Sequence, residues 1–163
     1  MEELPSQDSK VSFEDIAAKK GYSPEFCPRF QNDIKNVTHI LKAKGKSNQP
    51  LMLKFDVKKL KNKKQSQSWL WIEFKNSEGE RGWIHGDADF IAFERVYDFV
   101  IVNRKELVDW LGSSKKIRYD LPFVSLAKQA KYKIYKRRGK KEEITQIGIK
   151  DLESLKSFQL WKK

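Results

Sequence analysis

Residues 51–75 read LMLKFDVKKLKNKKQSQSWLWIEFK, and how this stretch divides decides the fold. Two apolar runs, 51–60 and 69–75, each carry an acid, one spacer and a lysine toward the end: Asp56-Val57-Lys58 in the first, Glu73-Phe74-Lys75 in the second. In the first run the apolar residues recur at every second position. Leu51, Leu53, Phe55 and Val57 therefore share one face of a strand, with Lys54, Asp56 and Lys58 on the other. The second run separates Trp69, Trp71, Glu73 and Lys75 from Leu70, Ile72 and Phe74 in the same way. Each strand thus presents a carboxylate and an ammonium to one side.

Working outward, Ser12 is placed to cap a helix from Phe13 to about Lys20, with Asp15 in its first turn and Gly21 as its stop. Residues 22–36 hold two prolines and mixed polarity and read as irregular chain. Residues 36–44 (NVTHILKAK) form a strand that turns through 45–50 into the 51–60 strand. After 69–75, short strands are expected at 83–84, 89–93 and 99–102, then helices at 105–111 and near 122–130. A basic hairpin follows, 131–138 (KYKIYKRR) returning through Gly139 as 143–149, and a helix from Asp151 to about Leu160 closes the chain. Residues 1–11 read as a loose tail, and 12–163 as one α/β (α+β) domain with a mixed sheet flanked by helices.

At 163 residues the chain is long enough to build a core without staples. Its charge is uneven. Residues 1–112 carry 19 basic and 17 acidic side chains, a net of +2, whereas 113–163 carry 15 and 5, a net of +10. Such a surface favours polyanions, nucleic acid above all. Cys27 is the single cysteine, which excludes an internal disulfide and a cysteine zinc site. The first residues are acidic and no apolar run approaches the ~20 residues that span a bilayer. A soluble, cytoplasmic protein is expected.

Phosphodiester hydrolysis requires one or two divalent cations, commonly Mg2+ or Mn2+, held by carboxylates, and a cation near the scissile phosphate. An acid and a lysine two apart on a strand supply part of that set, and a second acid completes it. Two frames are open. In one, Asp56 and Lys58 act with a first acid from Asp33 or its surroundings. In the other, Asp56 is the first acid and Glu73 with Lys75 supplies the rest. Against both stands the reading of each triplet as a solvated strand face.

The order helix, hairpin, Asp56-x-Lys58 strand, then Trp71-Ile72-Glu73-Phe74-Lys75-Asn76 and 82–94 (GWIHGDADFIAFE) resembles the PD-(D/E)XK nuclease superfamily, especially its small phage and bacterial members. The resemblance covers about residues 12–155. It implies a restriction-endonuclease-like fold and a magnesium-dependent endonuclease acting on DNA, and leaves room for a homodimer in which two chains cut two strands. It further implies Asp56 as a metal ligand, Lys58 as the catalytic lysine and Glu14 as a supporting acid. The sequence departs from the pattern before Asp56, where Thr38 and His39 stand in place of an aspartate. Thr38 cannot replace an ionised carboxylate, and His39 is a poor magnesium ligand. A member of the same fold that binds nucleic acid or a protein without cutting is the alternative.

Lys133, Lys136, Arg137, Arg138, Lys140 and Lys141, interleaved with Tyr132 and Tyr135, form the strongest nucleic-acid-binding signal. A lysine-rich hairpin is also how a sheet edge is protected. His39 and His85 read as packing or surface residues, and Asp87 and Asp89 as solvating the start of a strand. Trp69, Trp71 and Trp83 read as packing aromatics rather than base-stacking ones. The sequence lacks a Gly-rich phosphate loop, a nucleophile elbow and a metalloprotease histidine pair.

Overall fold

The computed structural model describes residues 11–27, 35–45 and 49–163. The tail read over 1–11 lies, apart from Val11, outside them. In chain order the elements are α1 (Phe13–Lys19), β1 (Ser23–Phe26), β2 (His39–Lys44), β3 (Pro50–Lys58), β4 (Trp69–Lys75), β5 (Phe90–Glu94), β6 (Asp98–Asn103), α2 (Arg104–Ser113), β7 (Glu143–Gly148), α3 (Ile149–Glu153) and β8 (Gln159–Lys162). The result is an α+β chain with a six-stranded mixed sheet and a few helices. Its contacts gather into two compact units. The first takes the residues up to Gln65 with Asp87–Asn103 and Ser157–Lys163, and the second takes Ser66–Gly86 and Arg104–Lys156. Because the chain passes back and forth between them, no linker marks the division in the sequence.

The first unit is α1 and the six-stranded sheet, ordered β1-β2-β3-β5-β6-β8. The β3/β5 pair is parallel and the other pairs are antiparallel. The helix starts where the sequence places it. Ser12 Oγ accepts the Asp15 N–H at 3.1 Å while Asp15 Oδ2 accepts the Ser12 N–H at 3.2 Å. This reciprocal cap stabilises the helix by about 1 kcal/mol. Gly21 follows at φ +91°, a conformation that costs glycine little. Phe13 projects from the helix into an aromatic core, its ring 5.3 Å from Phe55, 5.5 Å from Phe99 and 5.7 Å from Trp161. Leu41, Val57, Ala92 and Ile101 complete this face.

Three expectations change in this unit. Residues 23–26 are a strand rather than irregular chain. Pro24 is tolerated because β1 is the outermost strand. The strand read at 36–44 begins at His39. The closing helix ends at Glu153, and Gln159–Lys162 joins the far edge of the sheet beside β6. There the buried Trp161 stacks on Phe13, which a continued helix would not allow.

The second unit holds α2, α3 and a two-stranded antiparallel sheet of β4 with β7. Residues 83–84 belong to a short 3-10 helix, Trp83–His85, rather than to a strand. It begins at Gly82, where a Cβ would lie 2.3 Å from the Glu73 carbonyl oxygen. The helix read near 122–130 shrinks to one 3-10 turn, Ala127–Gln129. Val124 spends its backbone groups on a neighbouring segment instead, donating to Ile134 O at 2.9 Å and accepting from Lys136 N at 3.0 Å. The basic hairpin is also corrected. The backbone of residues 131–138 pairs with β7 through isolated bridges, Lys131↔Gln146 and Tyr135↔Ile144, rather than a ladder. Tyr132 sits at φ +58°, a left-handed conformation that interrupts an extended ladder, and β4 is the regular partner of β7.

Candidate active site

In the first unit, β3 runs with Phe55 and Val57 in the core while Asp56 and Lys58 alternate to the opposite face, as the two-residue period requires. That face is not solvated at the acid: Asp56 is only 2% exposed. Lys58 Nζ lies 3.0 Å from Asp56 Oδ2, with the lysine side chain about a third exposed. The neighbouring strand supplies no competing acid, since Asp56 stands beside Ile91 and Lys58 beside Phe93. The Lys58 ammonium is thus the partner that the buried Asp56 Oδ2 has at hydrogen-bond distance. Burial pushes the Asp56 carboxyl above its ordinary value, more than the charge and contact of Lys58 and the smaller effect of His39 pull it down.

On the core side of the same sheet, His39 is buried opposite Phe55. Its Nε2 donates to Glu14 Oε1, and its Nδ1 lies 2.8 Å from the Thr38 hydroxyl. That hydroxyl accepts the Val57 N–H at 2.9 Å. Partial burial pushes the Glu14 carboxyl up, but the hydrogen bond and electrostatic interaction with His39, together with backbone and Ser12 hydrogen bonds, outweigh this, so the carboxyl sits below its ordinary value. Glu14 thus ties α1 to β2. Thr38, at the position where the resemblance leads one to look for an acid, is built into the β2–β3 hairpin. The Glu14–His39 contact joins residues 25 apart and could be found only by knowing that α1 packs on β2. The one sequence signal was a buried-strand histidine with a glutamate in the preceding helix. Asp33 lies outside the described residues.

The other expected acids act on backbone. Asp87 Oδ2 accepts the Lys35 N–H at 2.7 Å, and Asp89 Oδ2 the Lys54 N–H at 2.8 Å. Both brace segments beside the sheet rather than face a ligand.

In the second unit, Glu73 Oε1 accepts the Trp83 N–H at 3.3 Å. Lys75 reaches across the sheet to Glu143, 3.3 Å away and its register partner. His85 is exposed, and burial, then Arg81 and Arg104, lower its pKa. Trp83 is buried, while Trp69 and Trp71 pack edge-on or tilted against Tyr132 and Tyr135. Of the six basic residues expected to bind nucleic acid, Lys136 lies 4.0 Å and Arg137 3.6 Å from Glu143 and Glu142 respectively. Lys133, Arg138, Lys140 and Lys141 are exposed and meet no acidic partner among the described residues.

One observation tests whether these residues fit a metal ion. A buried carboxylate is a group a hard cation takes up, and Asp56 Oδ2 could serve as such a ligand once the Lys58 ammonium, 3.0 Å away, moves aside. No group of three or more His, Cys, Asp or Glu among the described residues gathers around it or elsewhere. Among those residues, too, no helix is long and apolar enough to cross a membrane. No protein-family model, curated protein or solved structure matches this chain.

Proposed function

We propose that the protein is a metal-dependent nuclease of the PD-(D/E)XK type that hydrolyses phosphodiester bonds in DNA. The observation that carries this reading is the buried Asp56 carboxylate, paired at 3.0 Å with the partly exposed Lys58 on the same strand face. Such a group is costly to keep for stability alone, because desolvating a charge outweighs much of the Coulomb gain of its pair. In this reading Asp56 would hold a magnesium ion together with a second acid, for which the sequence offers Asp33 in the frame that uses Lys58. Bound there, the ion supplies Lewis acidity and an activated water. Lys58 is long and partly exposed, so its ammonium can shift from Asp56 toward a phosphate oxygen and offset the charge that builds up there. The exposed cations of residues 133–141 hold the nucleic-acid backbone.

A second reading keeps the nucleic-acid surface without the cleavage. It is favoured by Thr38 in the place of an acid and by the absence of a three-ligand group among the described residues. A nicking assay on supercoiled plasmid, with Mg2+, with Mn2+ and with chelator, separates the two. The nuclease reading expects metal-dependent nicking that is lost in Asp56→Ala. Absence of nicking by folded protein that still binds DNA assigns the binding role. Asp33→Asn and Glu73→Gln then discriminate the two frames for the second acid.

A further inference from the structure

Between α2 and β7, residues 114–141 of the second unit carry eleven basic side chains and one acid, Asp120. This stretch contains almost no regular structure, and it exposes large apolar side chains that a soluble surface ordinarily hides. Tyr119 and Phe123 are each 53% exposed, and Leu126 is 49% exposed. They are not loosely held. The Tyr119 hydroxyl donates to Leu111 O at 3.0 Å and its ring meets Phe74 edge-on at 5.9 Å. Phe123 is anchored by the backbone of its neighbour Val124, bonded on both sides to residues 134 and 136. The Lys136 ammonium stands 5.3 Å from the centre of the Phe123 ring. Arg118 donates its backbone N–H to Tyr132 O at 2.9 Å, so the segments carrying Arg118 and Lys133 run side by side.

Fixed, half-exposed aromatic rings, one of them under a lysine ammonium and both set among lysines and arginines, complement one kind of polyanion better than others. A duplex shields its base faces in the stack and offers mainly phosphates, for which the rings add nothing. An unpaired strand offers both phosphates and open base faces, and stacking on a preset ring orders few protein bonds on binding. A protein partner acidic enough to match the charge would leave the two rings without a specific role.

We propose that this segment is a binding surface for single-stranded nucleic acid, with bases stacking on Phe123 and Tyr119 and phosphates held by Lys133, Lys136 and, in exchange for its two-pronged pair with Asp120, Arg118. The proposal deepens the functional reading above by naming an unpaired strand as the substrate class. It rests on nucleic acid being the partner and not on cleavage. The Lys136 ammonium can leave the Phe123 face for a phosphate while staying near Glu143, 4.0 Å away.

The test is fluorescence anisotropy of the full chain in chelator, with labelled single-stranded and duplex oligonucleotides of equal length at several salt concentrations. The single strand is expected to bind tighter. Phe123→Leu and Tyr119→Leu, which keep an apolar side chain and spare the fold, are expected to weaken single-strand binding roughly tenfold each while leaving duplex binding unchanged. Tyr97→Leu, at a still more exposed tyrosine of the first unit, is expected to change neither. Removing Arg118, Lys133 and Lys136 together should flatten the single-strand salt dependence by about two log units per log unit of salt. Equal affinity for both forms, or leucine variants that bind like wild type, would overturn the proposal. Binding to heparin as tight as to the single strand would also overturn it, by reducing the surface to charge alone. Metal-dependent nicking lost in Asp56→Ala alongside equal affinities would sink this proposal and keep the nuclease reading. Single-strand preference without nicking would do the reverse.

Discussion

The chain writes the pattern acid, spacer, lysine on two strands, and the two have different fates. On β3, Asp56 is buried and Lys58 pairs with it along the strand, because the parallel neighbour offers Ile91 and Phe93. On β4, Glu73 accepts a backbone N–H from Trp83 and Lys75 leaves it for Glu143, which the antiparallel neighbour places directly opposite. The difference teaches that the triplet itself does not make a site. The cross-strand partner decides whether the acid and lysine meet, and burial decides whether their meeting perturbs the acid.

The largest effect that would sharpen this contrast is expected from Lys58→Ala. Removing the counter-ion of a buried carboxylate should destabilise the fold by about 3 kcal/mol, measured by urea unfolding at neutral pH. A loss below about 1 kcal/mol, of the size given by surface pairs, would place Asp56 in contact with water and break the distinction. Next in size is Gly82→Ala. Its new Cβ would meet the Glu73 carbonyl at 2.3 Å, so β4 or the 3-10 turn must shift, at a cost of about 2 kcal/mol in the same measurement. Glu73→Ala removes the acceptor of the Trp83 N–H and should cost about 1 kcal/mol. Lys75→Ala, breaking a pair whose lysine is half exposed, should cost less than about 1 kcal/mol and should do so only at low salt.

The smallest effect is one of slope. Asp56 has a folded pKa raised above its ordinary 3.8, so between the two values the native state binds more protons than the unfolded state. Stability from this group therefore falls as pH rises through that window and levels off above the folded pKa. Asp56→Asn lacks this titrating proton. Its stability relative to wild type should rise from pH 4 toward neutrality, as urea melts at several pH values would read, and a constant difference would contradict the raised pKa.

Local signals were legible where local physics settles them. Ser12, Asp15 and Gly21 mark both ends of α1, and alternation locates β4 to the residue. The strand face holding Asp56 and Lys58 was also legible, being a matter of parity. Burial of Asp56 was not, since an acid on a strand reads as solvated until its neighbours are known. Gln159 and Leu160 read as the end of the closing helix because apolar spacing is ambiguous over a few residues, and stacking of Trp161 on Phe13 decides for the strand. The His39 pair with Glu14, and the Lys75 pair with Glu143, depend on which elements pack together.

The central claim is that Asp56 is kept for chemistry rather than for stability. The most direct measurement takes Asp56→Asn and determines its melting temperature and its nicking of plasmid in Mg2+ side by side with wild type. The substitution removes a buried charge, and the Lys58 side chain already lies about a third in water, so the account predicts an equal or higher melting temperature with nicking reduced to background. A melting temperature lowered by several degrees with nicking unchanged would identify the Asp56–Lys58 pair as structural and contradict it.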